Sequence, residues 1–565
     1  MEKDGIEGKI SNQAAMSISL KMMLKLLLTV AVLTSFYYFL GQRSPVRVHN
    51  VHNHLQLRAN DLCEGTLHPQ LCISTLLSFP DLASKSVPEI ISTALNQTIQ
   101  HVSAASSSCS NIRKRRHGLG QLERQALADC IDLFDSTVSE LAGAVHDLSI
   151  VHPEQRYRDL QTLLSGAMTN QYTCLDGFAF SKEKDVIREL FEESVVNISH
   201  HVSNSLSMLR KLPGRPSAEA DEGEAFPGYG KVKGGFPSWI SPHDRKLLQA
   251  TVFSTPVNLT VAKDGTGDFT TVEEAITASP NNSYTRFVIY VKAGAYFENV
   301  EIVRKKTNLM LLGDGIGQTV IKAARNVVDG STTLGSATFA VEGDGFIAKG
   351  ITFENYAGPS KQQAVALMSR AQVSAFFNCS FVAYQDTLYV HSHRQFYRNC
   401  DVYGTIDFIF GNAAVVFQDC RLYARKPNPN QKNVFTAQGR AHPNENTGIS
   451  IINCKVAAAA DLIPELSSFK NYLGRPWKEY SRTVFMLSHM ENLIDPAGWL
   501  EWNGTFGLST LYYGEYNNTG PGANTTGKVN WPGYRVINNS SEASQFTVGP
   551  FILGNEWLNG TGIPY

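Results

Sequence analysis

The 565-residue chain carries almost no net charge, with 50 Lys and Arg against 51 Asp and Glu, and its basic residues form no extended stripe. Phosphate binding needs clustered cations, so no nucleic-acid partner is indicated. No Cys/His cluster has metal-ligand spacing, and no metal or cofactor is expected. Gly313-Asp314-Gly315-Ile316-Gly317 has no helical pattern behind it, which excludes a phosphate loop and leaves a turn. Long hydrophobic runs are also missing. The longest, residues 26–40, falls short of the ~20 residues a spanning helix prefers unless residues 22–24 are added. What remains is an ordinary folded composition, 43% hydrophobic, long enough for two or more domains with real cores.

The most informative stretch is residues 383–412. Asp386 lies in Tyr384-Gln385-Asp386-Thr387-Leu388-Tyr389 and Asp407 in Ile406-Asp407-Phe408-Ile409-Phe410, both aromatic and β-branched enough to read as strands. Cys379, Cys400 and Cys420 each follow an aromatic-rich strand segment, 21 and then 20 positions apart, and Cys454 repeats the pattern after an insertion. A period near 20 built from short strands and Asn/Gly turns predicts a β-solenoid, with successive coils about 4.8 Å apart. Asp386 is seven residues past Cys379, and Asp407 seven past Cys400, so the period stacks them side by side. Gln363, 23 positions before Asp386, is expected in the same column. Two carboxylates this close cannot both ionise easily, which divides them into an acid and a nucleophile or base. Gln363 and Gln385 supply amide donors for a developing oxyanion. The parts fit hydrolysis or transfer at a carbonyl or acetal carbon. A structural role for buried carboxylates is the plainer alternative.

Gln363-Ala364-Val365-Ala366-Leu367, Tyr384 to Tyr389, Gly404 to Gly411 and Leu473-Gly474-Arg475-Pro476-Trp477 together resemble the plant pectinesterases (pectin methylesterases). Ala383 is a departure, since Gly is common there in the family. The resemblance implies a right-handed parallel β-helix that removes methyl groups from esterified galacturonan in the cell wall. It implies Asp407 as nucleophile, Asp386 as proton donor and later base, and Gln363 and Gln385 at the oxyanion. It further implies Arg475 orienting Asp407, Trp477 stacking on a sugar ring, and Thr333 touching substrate. Cys400 and Cys420 hold matching places on adjacent coils, and the family pattern implies a bridge between them; Cys379 and Cys454 are expected to stay reduced.

Residues 1–59 hold the apolar run 26–40, or 22–40 with residues 22–24 counted; Lys21 and Lys25 precede residue 26, and Arg43 and Arg47 follow the run. It reads as an uncleaved signal anchor or a cleaved signal, either one leading into the secretory route and, before processing, to membrane contact. Sequons at Asn96, Asn197, Asn258, Asn281, Asn503 and Asn559 are compatible with that route. Residues 60–212 show three-and-four apolar spacing, as in 121–133 and 139–148, and predict an all-α domain. This region resembles the pectinesterase-inhibitor pro-region. The likeness implies a four-helix bundle with Cys63–Cys72 and Cys130–Cys174 bridges, Cys109 left as a free thiol, and inhibition of this or other esterases. The run Arg113 to Arg116 is expected in a solvated loop. Residues 213–248 turn to Gly, Pro, Ser and acidic residues and read as a linker. It ends at Arg245-Lys246-Leu247-Leu248, where the family is cut, so a processing protease is an expected partner and the enzyme domain would be 249–565.

His391 and His393 fall outside the carboxylate column and are expected on a surface loop beside the cleft. Trp499 or its neighbours in the segment Trp499 to Trp502 are candidate groove residues, and residues 551–565 are expected to cap the solenoid end. Two other function classes compete with the ester hydrolase. One is a β-helix glycosidase or lyase, which would create new reducing ends. The other is an inhibitory protein with an inert β-helix.

Overall fold

The computed structural model describes residues 22–23, 25, 27–35, 45–116, 118–179, 187–214, 232–233, 236–237, 256–561 and 563–565. Compactness divides these into two units, one within residues 1–64 and 72–85, the other within 65–71 and 86–565. In the first unit helix α1 (Pro45–Cys63) ends at the Cys63–Cys72 disulfide, and Arg58 donates to the carbonyls of Ala83 and Lys85. Among the described residues no helix is long and apolar enough to cross a membrane.

The second unit opens with helices α2 (Val87–Arg115), α3 (Gln121–Leu148), α4 (Tyr157–Asp176) and α5 (Glu192–Met208). Apolar residues three and four apart face inward: Ile91, Leu95 and Val102 on α2, Leu127, Phe134 and Leu141 on α3, Leu160, Leu164 and Met168 on α4. Glu89 caps α2 by accepting from the Ser86 amide at 2.6 Å. Arg113 to Arg115, expected in a loop, form the last helical turn of α2, where cations suit the helix dipole. Cys109 is a buried free thiol, pushed up to about 12 by burial. Cys130–Cys174 ties α3 to α4.

Residues 257 onward coil into a parallel β-helix of three sheets with 11, 8 and 7 strands. One coil runs Ser374–Phe377, Ser380–Val382, Leu388–Val390, and the next Arg394–Arg398, Asp401–Gly404, Ile409–Gly411. Register follows the 21-residue period: Ala375 pairs with Phe396, Phe381 with Val402, Leu388 with Ile409. Equivalent side chains therefore stack inside, with Phe376 on Tyr397 at 4.7 Å and Tyr397 on Phe417 at 4.6 Å. The Asn or Asp before each repeated Cys takes left-handed backbone, φ 51° at Asn378, 52° at Asn399, 54° at Asp419 and 52° at Asn453. These residue types tolerate that conformation best after glycine, so they set the corner between sheets.

Cys379, Cys400, Cys420 and Cys454 then enter the core as one file of buried thiols. The expected Cys400–Cys420 bridge is not formed. Both thiols stay free, each facing its neighbours in the file and a backbone carbonyl as well, Cys400 that of Arg398 at 3.3 Å and Cys420 that of Gln418 at 3.4 Å. The C-terminal segment also departs from expectation. Phe551, Ile552 and Leu558 pack with Phe396, Val416 and Ile452, covering the outer face of the first sheet rather than the solenoid end.

Candidate active site

Asp386 and Asp407 occupy the corner between the second and third sheets. Neither lies in a strand, contrary to the sequence expectation. Both sit in tight turns with left-handed backbone, φ 61° and 51°, two residues before strands Leu388–Val390 and Ile409–Gly411. Such backbone is costly for a residue with a Cβ and is sustained by its surroundings. Here the Asp386 amide donates to the Ile406 carbonyl at 3.0 Å, and buried Thr387 donates to Tyr403 at 2.9 Å. Gly404 gives the turn room: a Cβ there would stand 2.2 Å from the Phe408 Cβ. Leu388 pairs with Ile409, so the same register sets Asp386 beside Asp407 on neighbouring coils, as the period predicts.

Arg475 grips one of the two. Its Nε and Nη2 donate to the Asp407 carboxylate at 2.8 and 2.6 Å, a bidentate geometry that fixes the anion. Both carboxylates are buried, 7% and 6% exposed. Burial pushes the Asp386 carboxyl well up, and Asp407 pushes it further while Arg475 opposes. Burial raises Asp407 too, but Arg475 pulls against it by charge and hydrogen bonding. The pair is thus shifted unequally, Asp386 more strongly toward the neutral acid while Arg475 favours the carboxylate form of Asp407.

Gln385 is the residue before Asp386 and Gln363 lies one coil earlier, with the Ala364 amide donating to the Gln385 carbonyl at 3.2 Å. Strict register matches Asp386 to Val365, so Gln363 stands two residues off the column. The insertion between strands Thr352–Asn355 and Leu367–Ser369 breaks the simple count. The Gln363 Oε1 is buried without a hydrogen-bond partner. Thr333 is half-buried on the loop whose Val327 amide donates to the Gln363 carbonyl at 3.1 Å. Trp477 is half-buried over Tyr389 and Phe410, with ring centres 6.5 and 6.0 Å apart. Gly439 makes its bed, since a Cβ there would meet the indole at 2.9 Å.

Sequence reasoning missed Tyr389 and Phe410, and left open which of Trp499 and its neighbours reaches the site. The first two stack at 4.2 Å on equivalent places of adjacent coils, a signal that the period carries. Trp502 lies over the Arg475 guanidinium at 4.3 Å. Trp499, the first of these candidates, is instead core, stacked on Tyr513 at 4.2 Å with its N–H donated to Glu515. Among the described residues no group of His, Cys, Asp or Glu could hold a metal. Arg245 to Leu248 lie outside the described residues.

Helices α3 and α4 lie against this side of the solenoid. Asp129 accepts from Thr332, the neighbour of Thr333, and Asp132 pairs with Arg370. Glu140 faces His393 at 3.4 Å and Asp159 pairs with Arg394 at 2.6 Å. Thr173 contacts Tyr389 at 3.3 Å and His391 at 3.0 Å, and Asp176 pairs with Lys478 at 3.0 Å. His391 and His393 are therefore buried against the helices, not on a surface loop. Burial drives both below the usual imidazole range, His393 to about 4. The contacts run from the loop bearing Thr333 over Tyr389 to the corner between the third and first sheets and the residue after Trp477, so the helices lie over the third sheet, beside the turns that carry the carboxylates.

Comparison with known proteins agrees with this arrangement. The pectinesterase family profile matches residues 258–555, and that of the plant invertase/pectin methylesterase inhibitors matches 59–208. A probable pectinesterase/pectinesterase inhibitor 39 of Arabidopsis thaliana is 53% identical over 85% of this chain and 90% of its own. Pectinesterase 1 of Citrus sinensis is 48% identical over 89% and 87%. The solved pectin methylesterase from carrot is 57% identical, with a TM-score of 0.55, and covers 56% of this chain and 98% of its own. The chain is a member of the pectinesterase family, a carboxylic ester hydrolase whose β-helix follows an inhibitor-type helical domain.

Proposed function

We propose that residues 249–565 hydrolyse methyl esters of galacturonan through an acyl-enzyme on Asp407. The observation that carries this reading is the split carboxylate pair, with Arg475 clamped on one member only. An Asp407 oxygen attacks the ester carbonyl carbon. The tetrahedral oxyanion is met by the side-chain N–H groups of Gln363 and Gln385. The carbon–methoxyl bond breaks, and the proton of Asp386 goes to the departing methanol. Asp386, now anionic, takes a proton from water, and the hydroxyl adds to the acyl carbon. The bond to Asp407 breaks, which frees the uronate. Thr333 and Trp477 bind sugar. Methanol release from methylated pectin, without new reducing ends and lost in Asp407→Asn, tests this. New reducing ends would favour a glycosidase or lyase instead.

The helical region 60–212 acts as an autoinhibitory pro-region. Its α3 and α4 contacts on the third sheet, beside the carboxylate turns, support that role. Secretion to the cell wall through the 22–40 segment, and removal of the pro-region by a protease after Leu248 in the 213–248 linker, complete the reading. N-terminal sequencing of wall-extracted protein should begin at Gln249; a start well upstream refutes it. Separate pectinesterase-inhibitor proteins would compete for the surface the pro-region leaves.

A further inference from the structure

The outer face of the first sheet carries a column of residues that the mechanism above does not use. Arg394 and Arg482 open the strands Arg394–Arg398 and Arg482–Met486, and register places Ala414 and Gly448 between them. Two arginines thus stand three coils apart, about 14 Å, with only a methyl group and a glycine between. The Arg482 side chain leans back along this column, since a Cβ at Gly448 would meet its Nε at 2.9 Å. Helix α4 borders the column and answers Arg394 with Asp159. Arg482 it meets with another cation, Arg158, which is exposed and forms no ion pair among the described residues. The Arg482 Nε donates to the Thr447 carbonyl at 2.7 Å, and its guanidinium lies 5.3 Å from the Phe551 ring. Its terminal nitrogens have no partner among the described residues. Arg440, buried, bonds carbonyls alone, those of Glu445, Pro443 and Tyr480. Glu445 is the one carboxylate within electrostatic reach of Arg482, and its oxygens are taken by Asn412 and by the amides of Ala441 and His442. Burial and the charges of Arg440 and Arg158 accordingly hold the Arg482 guanidinium well below its usual range, with Tyr512 and Glu445 opposing.

We propose that the terminal nitrogens of Arg482, with Arg158 of α4 and the charge of Arg440, form a binding site for a compact dianionic oxyanion of the phosphate class, and that the bound ion fastens the helices to the solenoid. The proposal stands apart from the esterase reading. Three guanidinium groups face one carboxylate that is already taken, an excess of two charges that a dianion cancels and a monovalent ion does not. A guanidinium with both terminal nitrogens free is a fork for two oxygens of one ion. Without a counter-ion Arg158 and Arg482 repel each other across the junction. With one, each becomes a ligand of the same group. Arg158 comes from the helical domain and Arg482 from the solenoid, so the complete site exists only while the two are docked. Binding and docking then strengthen each other by linkage. The Asp159–Arg394 pair needs no such ion. One end of the column is closed by the chain itself, the other by a solute.

The test titrates inorganic phosphate into the full chain at constant ionic strength, at a pH where phosphate is mainly the dianion, with the heat of binding as readout. The solved carrot relative corresponds to the solenoid half alone, so chains of residues 249–565 serve beside the full chain. One phosphate per full chain is expected. Arg158→Gln, Arg482→Gln and the 249–565 chain each lack one ligand and should bind it about tenfold more weakly. Arg482→Lys, which keeps the charge but not the fork, should fall between. Phosphate should also slow amide hydrogen exchange in α4 severalfold in the unsubstituted full chain and not in Arg158→Gln. Should Arg482→Gln fail to fold, Arg158→Gln carries the test, because that side chain is exposed. Phosphate binding unchanged in Arg158→Gln, or no binding to the unsubstituted chain, overturns the proposal. So does slower exchange in Arg158→Gln without any heat of phosphate binding to the unsubstituted chain, since the contact is then plain repulsion. Acetate binding as tightly as phosphate would assign the site to single carboxylates and overturn the dianion.

Discussion

The inside of the solenoid and the surface that receives α3 and α4 are both buried, yet they are built from opposite materials. Inside, Phe353, Phe376, Phe381, Tyr397 and Phe417 stack along the coils with the cysteine file beside them, and almost nothing there is charged. Against the helices stand Arg370, Arg394, His391 and His393, each under 10% exposed and each answered by a polar group of α3 or α4. Apolar burial of about 25 cal/mol per Å² is insensitive to pH and costs nothing to keep closed. Buried ion pairs repay their desolvation only while both partners stay in place. The first surface loses its stabilisation if it is opened to water. The second, if opened as the pro-region reading requires, returns charged side chains that water solvates readily.

That contrast can be broken at either surface, and hardest at the corner between them. Asp407→Asn removes the nucleophile while keeping its shape, and turnover should fall by about 10⁴-fold in a methanol-release assay. Cooperative unfolding should survive, since the coils do not depend on that charge. Phe376→Ala empties a fully buried ring site between Phe346, Phe381 and Tyr397 and should cost about 3–5 kcal/mol in denaturant unfolding. Asp159→Asn strands Arg394, which is buried, and should loosen the helices without touching the solenoid. Methanol release by the full chain should then rise about tenfold, a change absent from chains of residues 249–565, which lack Asp159.

The sequence exposes the solenoid because its physics is periodic. One coil needs one strand of each sheet, so a 21-residue spacing at Cys379 and Cys400 carries through to Asp386 and Asp407. Where the chain departs from the period, legibility fails. Gln363 lies inside the long connection between Thr352–Asn355 and Leu367–Ser369, so counting coils back from Asp386 misses its row by two residues. Asp386 and Asp407 read as strand because their neighbours are aromatic, while the left-handed turn under them leaves no local mark beyond Asp itself. The docking surface was hidden for a different reason. Its residues are charged, as solvent-facing residues are, and only the distant helices tell that Arg370 and His393 are buried. Trp499 and Trp502 show the same limit: three positions apart, one is core and the other lies on Arg475.

The smallest effect expected is also the one that separates the two surfaces most cleanly, because only the charged one responds to pH. Glu140 of α3 faces His393, Arg304, Arg370 and Asp344 from the solenoid and Asn170 from α4. Burial pushes its carboxyl up to about 8, against about 4.3 when freely solvated. Docking strength from this group is complete below the solvated value and drains away as pH rises through the docked one. Asp129, pushed up to about 6 by burial, acts in the same sense but is spent by then. His393, pushed down to about 4, acts in the opposite sense, weakening docking as pH falls from about 6.5. Of these three groups only Glu140 changes between about pH 6.5 and 8, so the full chain should gain activity over that window relative to residues 249–565 at each pH. Dividing by the shorter chain removes the titration of Asp386 and Asp407 themselves. In Glu140→Gln, which cannot ionise, the ratio should be flat to within about twofold. A ratio that climbs as steeply in Glu140→Gln as in the unsubstituted chain would assign the response to another group and leave the Glu140–His393 contact with no part in opening.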